Sequence, residues 1–372
     1  MELIDEEGRL FGRVNVVDAL VLLVVLAVVG AGVALVTGSS DQAEPGGNGD
    51  GGNTETRYAT LALGPQSVQS ASAIQAGQNV TLAGSSTTVR VTDVHRTGAT
   101  NGRVQSFLRI AYPAGLPVRG APIRTGRSVT VVGDGYQTDA AVRSVDHNGS
   151  AFQTDTVAVS LTTEVDASTA AAVETGDRLT VGNRTLATVG SVVSIPTNED
   201  ERRRLRLGIT LATRTVGGES EFADRALRVG STIPLRTNHV EGLDGTIRAV
   251  GSLQPPGDPT DVTMTIAWEG VRPAVATALG PGTTESHRGG TARLVDVTTG
   301  PATVVVPTSD GELVVRDHPR DRDVTLTVRA TGRASGSAIQ FHDGPLTVGR
   351  QVTLEFDGVT IHGTLLDFES DE

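Results

Sequence analysis

A five-residue signature recurs six times along the chain: a small residue or proline, an aliphatic residue, two variable positions, then glycine. The copies are Ala73-Ile74-Gln75-Ala76-Gly77, Pro122-Ile123-Arg124-Thr125-Gly126, Ala172-Val173-Glu174-Thr175-Gly176, Ala226-Leu227-Arg228-Val229-Gly230, Ala278-Leu279-Gly280-Pro281-Gly282 and Pro345-Leu346-Thr347-Val348-Gly349. A chain copied in units of roughly fifty residues builds an array of like modules, each too small to bury its apolar face alone. In five copies the glycine precedes a short alternating run, as in Asn79 to Leu82 or Arg178 to Val181, and alternation of this kind reads as a half-buried strand. A second strand follows each copy and another precedes it, so the unit is strand, connector, signature, strand, turn, strand. The connectors read as short helices at Ala167 to Glu174, Glu221 to Val229 and Pro273 to Leu279. Gly77, Gly126, Gly176, Gly230, Gly282 and Gly349 then serve the backbone, at a turn that needs positive φ. The fifth unit departs from the pattern, because the polar stretch Thr283 to Gly290 stands where the other copies have a strand.

The amino terminus adds a different element. Val16 to Val36 carries one charge, Asp18, and is otherwise almost wholly aliphatic, a length that as a helix spans a bilayer core. Arg9 and Arg13 precede it and the next basic residue is Arg57, so residues 1–15 are expected in the cytoplasm and the body outside. Residues 37–56 are polar and glycine-rich and read as a flexible tether. Residues 57–254 hold units one to four, the proline cluster at 255–259 is a linker, and residues 260–372 hold units five and six. The expected fold class is mainly β: one transmembrane helix, then about six β-rich repeats with short helices, forming barrel-like or sandwich-like domains.

Composition bounds the chemistry. The chain has no cysteine, which removes disulfides, thiolate metal sites and cysteine nucleophiles. Its net charge is -12 and all of its basic residues are arginine, an acidic, lysine-free balance that resembles proteins of salt-loving archaea and disfavours nucleic acid as a partner. Arg202 to Arg204 follows an acidic run and reads as a solvated linker. No two of the seven histidines are spaced two or four apart, so no metal site is expected. His342 and His362 fall in one unit, within reach across strands. No nucleophile elbow or phosphate-binding glycine loop occurs, and no catalytic or cofactor-binding residue is assigned. Asn79, Asn148 and Asn183 begin glycosylation sequons.

The opening Ile4-Asp5-Glu6-Glu7-Gly8-Arg9-Leu10-Phe11-Gly12-Arg13-Val14-Asn15-Val16-Val17-Asp18, followed by the aliphatic span, resembles the start of the family grouped as domain of unknown function 4330. Thr156 to Leu253 is similar to that family's β-rich body, and this chain carries extra repeats. The resemblance implies a single-pass membrane protein without an assigned activity. The resulting expectation is a non-enzymatic structural or protein-interaction component of the cell envelope, with the lipid bilayer and an envelope protein as partners. The alternatives are a ligand-sensing or accessory subunit of a membrane transporter, which needs a concave pocket between units, and an envelope hydrolase, which needs a histidine and a carboxylate converging in one cleft.

Overall fold

Alternating apolar residues place one side chain in two on the inner face of a sheet, and here they do so in antiparallel ladders repeated three times over. The computed structural model describes residues 9–10, 14–15, 55–98, 103–199, 201–235, 239–240, 242–342 and 344–370. The chain divides into two units, Met1–Asn53 and Thr54–Glu372. In the first, Arg9–Leu10 pairs antiparallel with Val14–Asn15.

The second unit holds three modules. In the first of them, Thr56–Leu63, Asn79–Leu82 and Thr88–Gly98 come from one sequence repeat, and Val104–Pro113, Ser128–Gly133 and Tyr136–Asp146 from the next. They close into a barrel in the order Tyr136–Asp146, Thr56–Leu63, Val104–Pro113, Thr88–Gly98, Asn79–Leu82, Ser128–Gly133. The second module repeats the order as Leu243–Val250, Thr154–Asp166, Arg202–Val216, Arg184–Pro196, Arg178–Val181, with Thr232–Leu235 beyond Leu243–Val250. The third runs Gln351–Phe356, Val359–Ser370, Asp258–Val271, Leu313–Ser335, Arg293–Pro307.

Two repeats make one module because each lends its last strand to its partner's first. The two first strands meet at the centre, and the residues opposed there are Leu61 and Leu108, Leu161 and Leu207, and Ile266 and Leu326. All six are fully buried. Each such side chain is worth about 1.5–3 kcal/mol on burial, which a single repeat with one open face forgoes. The connectors alternate accordingly. Odd repeats use helices at Val68–Ala73, Ala167–Ala172 and Pro273–Ala276, and even repeats use two-stranded hairpins.

The signature has one local geometry in all six places. The glycine φ values are +89, +83, +96, +87, +95 and +87°, and the aliphatic residue three positions earlier is buried each time. The glycine N–H donates to Val91, Val142, Val189, Ile247, Leu294 and Leu365 in turn, and the same residue returns its own N–H to the carbonyl just after the glycine. A β-bulge lies next to each of these partners, which bends the strand inward. Nothing lies within 4 Å of a Cβ built on Gly230, so the glycine is required for its backbone and not for space. Gly230→Ala is therefore expected to cost about 1–2 kcal/mol, the price of a left-handed alanine, and Gly230→Asn less. Urea denaturation of the two variants beside wild type checks this.

Several expectations are corrected. No helix among the described residues is long and apolar enough to cross a membrane. Residues 16–36, on which the expected transmembrane helix falls, lie outside the described residues, as does most of the expected tether at 37–56. The bilayer contact through Val16 to Val36, the single-pass cell-membrane location and the membrane-anchored function have no structural support and are not carried further. The helix expected over Glu221 to Val229 is a hairpin, Glu219–Phe222 with Arg225–Ala226, because Ala223 and Asp224 turn the chain at φ +55 and +60°. Arg202 to Arg204 is not linker but the start of Arg202–Val216, where Arg204 pairs with Glu164 at 2.5 Å. A strand begins at Asp258, inside the expected linker at 255–259.

Candidate metal centre

The polar stretch of the fifth repeat, Thr283 to Gly290, brings two ligand-type side chains into the third module. Counted from the signature glycine, Glu285 stands where the first module has Val80 and the second has Leu179, and His287 where they have Leu82 and Val181. Those four aliphatics are buried against their cores. Glu285 and His287 keep the inward direction, because Thr284 and Glu285 still bridge to Arg293 and Phe356 at the edges of the third sheet. Their side chains are 0% and 5% exposed. His342 arrives from the hairpin turn after Phe341, at φ +49°, the position that Arg119 and Ala223 hold in the other modules.

Three donor atoms meet there. Glu285 Oε1 lies 3.0 Å from His287 Nε2 and 3.3 Å from His342 Nε2, and the ligand atoms of all three residues fall within 4.8 Å of one another. Glu285 Oε2 is already occupied, accepting from Thr291 N at 3.2 Å and Ala292 N at 3.0 Å. Oε1 is buried and faces the two imidazole Nε2 atoms. His342 Nδ1 donates to Thr353 O at 3.2 Å, and His287 Nδ1 faces Arg288 O at 3.5 Å. A carbonyl only accepts, so each ring carries a proton on Nδ1 toward its carbonyl and turns Nε2 to Oε1. Two ring nitrogens and a carboxylate oxygen then share one point, which either protons on the Nε2 atoms or one metal cation in their place satisfies.

The residues fit a metal ion. Burial opposes ionisation of Glu285, but hydrogen bonds from the facing His287 and His342 rings, with the charge of those rings, prevail and hold its carboxyl well below the usual carboxylate range. A divalent ion binds the ionised carboxylate and takes the place of protons on the two Nε2 atoms, releasing them as it binds. Tetrahedral zinc at its usual bond lengths sets its ligand atoms about 3.3 Å apart, close to the separations around Oε1. Two imidazoles in three donors also disfavour calcium and magnesium, which take oxygen. His342 lines two clefts, of about 300 and 220 Å³, that give an ion a path to the cluster.

The remaining histidines stand apart from the cluster. His147, His239 and His318 pair with Glu55, Asp177 and Asp321. His95 is buried between the first two modules, beside Phe107 and Phe152. His362 and His342 do approach one another, both bonding Thr353, but the third ligand type comes from Glu285 and not from His362. Asp343 lies outside the described residues. Asn79, Asn148 and Asn183 are all exposed, and the six signature glycines sit at turns and supply no ligand to the cluster. Histidine spacing alone does not reveal this cluster, because its local pair is a glutamate and a histidine two apart, completed by a residue far along the chain. Superposing the six signatures exposes it, since it places Glu285 and His287 on core positions.

A family model described as a domain of unknown function (DUF4330) matches residues 1–106 and 242–369, more than half of the chain. The chain belongs to the DUF4330 family. The second matched segment contains Glu285, His287 and His342, so the candidate centre lies inside the DUF4330 region. The similarity read over Thr156 to Leu253 is corrected by the same match, which omits residues 107–241 and extends well beyond Pro255. No curated protein and no solved structure matches this DUF4330 chain.

Proposed function

We propose that this chain is a non-catalytic β scaffold that binds one divalent transition metal of the zinc class through Glu285 Oε1, His287 Nε2 and His342 Nε2. The observation that carries this reading is the convergence of a buried carboxylate oxygen and two imidazole nitrogens, Oε1 facing the two Nε2 atoms at 3.0 and 3.3 Å with all three ligand atoms within 4.8 Å of one another. Burial supports a structural over a catalytic centre. With Glu285 and His287 shielded and only the edge of His342 toward the clefts, a substrate has little approach to the ion, whereas catalytic zinc sites keep an open position.

The hydrolase reading is served by the same convergence of histidine and carboxylate, and it predicts turnover of activated esters by the zinc-loaded protein. We expect none. Full-length protein dialysed against zinc and assayed for metal by mass spectrometry is expected to retain about one equivalent. Glu285→Gln keeps the shape of the side chain but not its charge, and is expected to retain only background zinc. Wild type holding no more zinc than Glu285→Gln overturns the metal reading, and ester hydrolysis that depends on zinc overturns the non-catalytic half of it.

A further inference from the structure

Resting on that metal reading, we propose that the ion acts as a latch between the second and third modules. Each ligand stands within a residue or one hydrogen bond of a contact that crosses the junction. Beside Glu285, Ser286 N donates to Glu355 O at 3.0 Å, and the Glu355 carboxylate pairs with Arg203 of the second module at 2.8 Å. Beside His287, Arg288 O accepts from Ser194 N at 2.9 Å, and the Arg288 guanidinium donates to Val173 O. His342 Nδ1 donates to Thr353 O, and Thr353 Oγ1 donates to Asn198 Oδ1 at 2.7 Å.

The segment that makes the central contact has lost most of the strand ladder that holds its counterparts. In the first module the equivalent residues, Asn79–Leu82, form a strand paired on both sides, to Thr88–Gly98 and to Ser128–Gly133. In the third module the ladder is reduced to isolated bridges at Thr284 and Glu285, with Ser286 still bonded to Glu355, and the chain then swings out so that Gly289 packs on Val193 at φ +77°. The replacement of two core aliphatics by Glu285 and His287 thus frees a loop to reach the neighbouring module, and the ion supplies the fixed point that the lost ladder supplied. Chelation is expected to loosen the junction while leaving the three modules folded.

Hydrogen exchange on the full chain, read at single-amide resolution with and without zinc, tests the latch. The Ser194 amide is the reporter, because its acceptor is across the junction. The expected result is slowing of Ser194 exchange by about tenfold on adding zinc, with the Val104–Pro113 strand of the first module unchanged. Zinc content is measured on the same samples. Stoichiometric zinc with Ser194 exchange unaltered overturns the latch and leaves the metal reading standing. Slowing spread equally over all three modules also overturns the latch, since it reports global stabilisation. Failure to bind zinc overturns the metal reading first and the latch with it. Glu285→Gln is expected to show the slow exchange in neither condition, and slow exchange at Ser194 in that variant overturns the proposal.

Discussion

Glu285→Ala is expected to cost about 3–5 kcal/mol in metal-free buffer, while Glu285→Gln stays close to wild type, and the contrast separates the two roles of this side chain. Removing the carboxylate orphans Thr291 N and Ala292 N, both of which donate to Oε2, and strips His287 and His342 of the group they face. Glutamine offers a carbonyl to the same two backbone donors and an amide that donates to the two facing Nε2 atoms. The fold is therefore retained although the charge that attracts a metal is gone. With zinc at about a hundred times its dissociation constant, wild type gains a further ~2.7 kcal/mol that Glu285→Gln does not. Urea denaturation of the three proteins, each in chelator and in zinc, measures all of these differences. Equal stability of the alanine and glutamine variants in chelator overturns the assignment of Glu285 as the hub of this cluster.

Acidification is expected to destabilise the protein through His95 by ~3 kcal/mol between about pH 6.5 and pH 4. His95 lies on Thr88–Gly98, enclosed by Phe107 and Phe152, and its Nε2 is buried without a hydrogen-bond partner. Burial is the main cause that lowers its pKa to about 4; Arg214, Arg184 and Arg96 push the same way and Asp93 opposes them. The sign follows directly. Below pH 6.5 the unfolded chain takes up a proton at this site and the folded chain does not, so stability declines as pH falls toward 4 and is fully present above 6.5. Unfolding free energies at pH 7 and pH 4 for wild type and His95→Leu isolate the contribution, since every other titrating group is common to both. A wild type and a variant that lose the same stability on acidification remove His95 from the account.

This histidine also shows where reading the chain residue by residue stops short. A histidine outside any metal spacing reads as a surface or turn residue, but His95 and His287 are buried, one between modules and one within a module. The repeat itself was legible because it is local: glycine, buried aliphatic and alternation lie within ten residues, and the six copies share one φ and one pair of hydrogen bonds. Strands such as Asn79–Leu82, Arg178–Val181, Thr232–Leu235 and Gln351–Phe356 have the bounds that alternation alone marks. The connectors were less legible. Glu221 to Val229 has helical composition, yet the turn at Ala223 and Asp224 makes it a hairpin, because the buried Phe222 must enter the second core at the edge of a strand.

The amino-acid sequence determined by itself that the chain is a six-fold β repeat without cysteine chemistry, since both follow from residue type and short-range spacing. The tertiary structure decided that repeats work in pairs, because strand exchange between neighbours is a long-range pairing that no local pattern encodes. It also decided that Glu285, His287 and His342 share one point. Their convergence depends on a lost strand in one repeat and a left-handed turn in the next, brought together only when the third module closes.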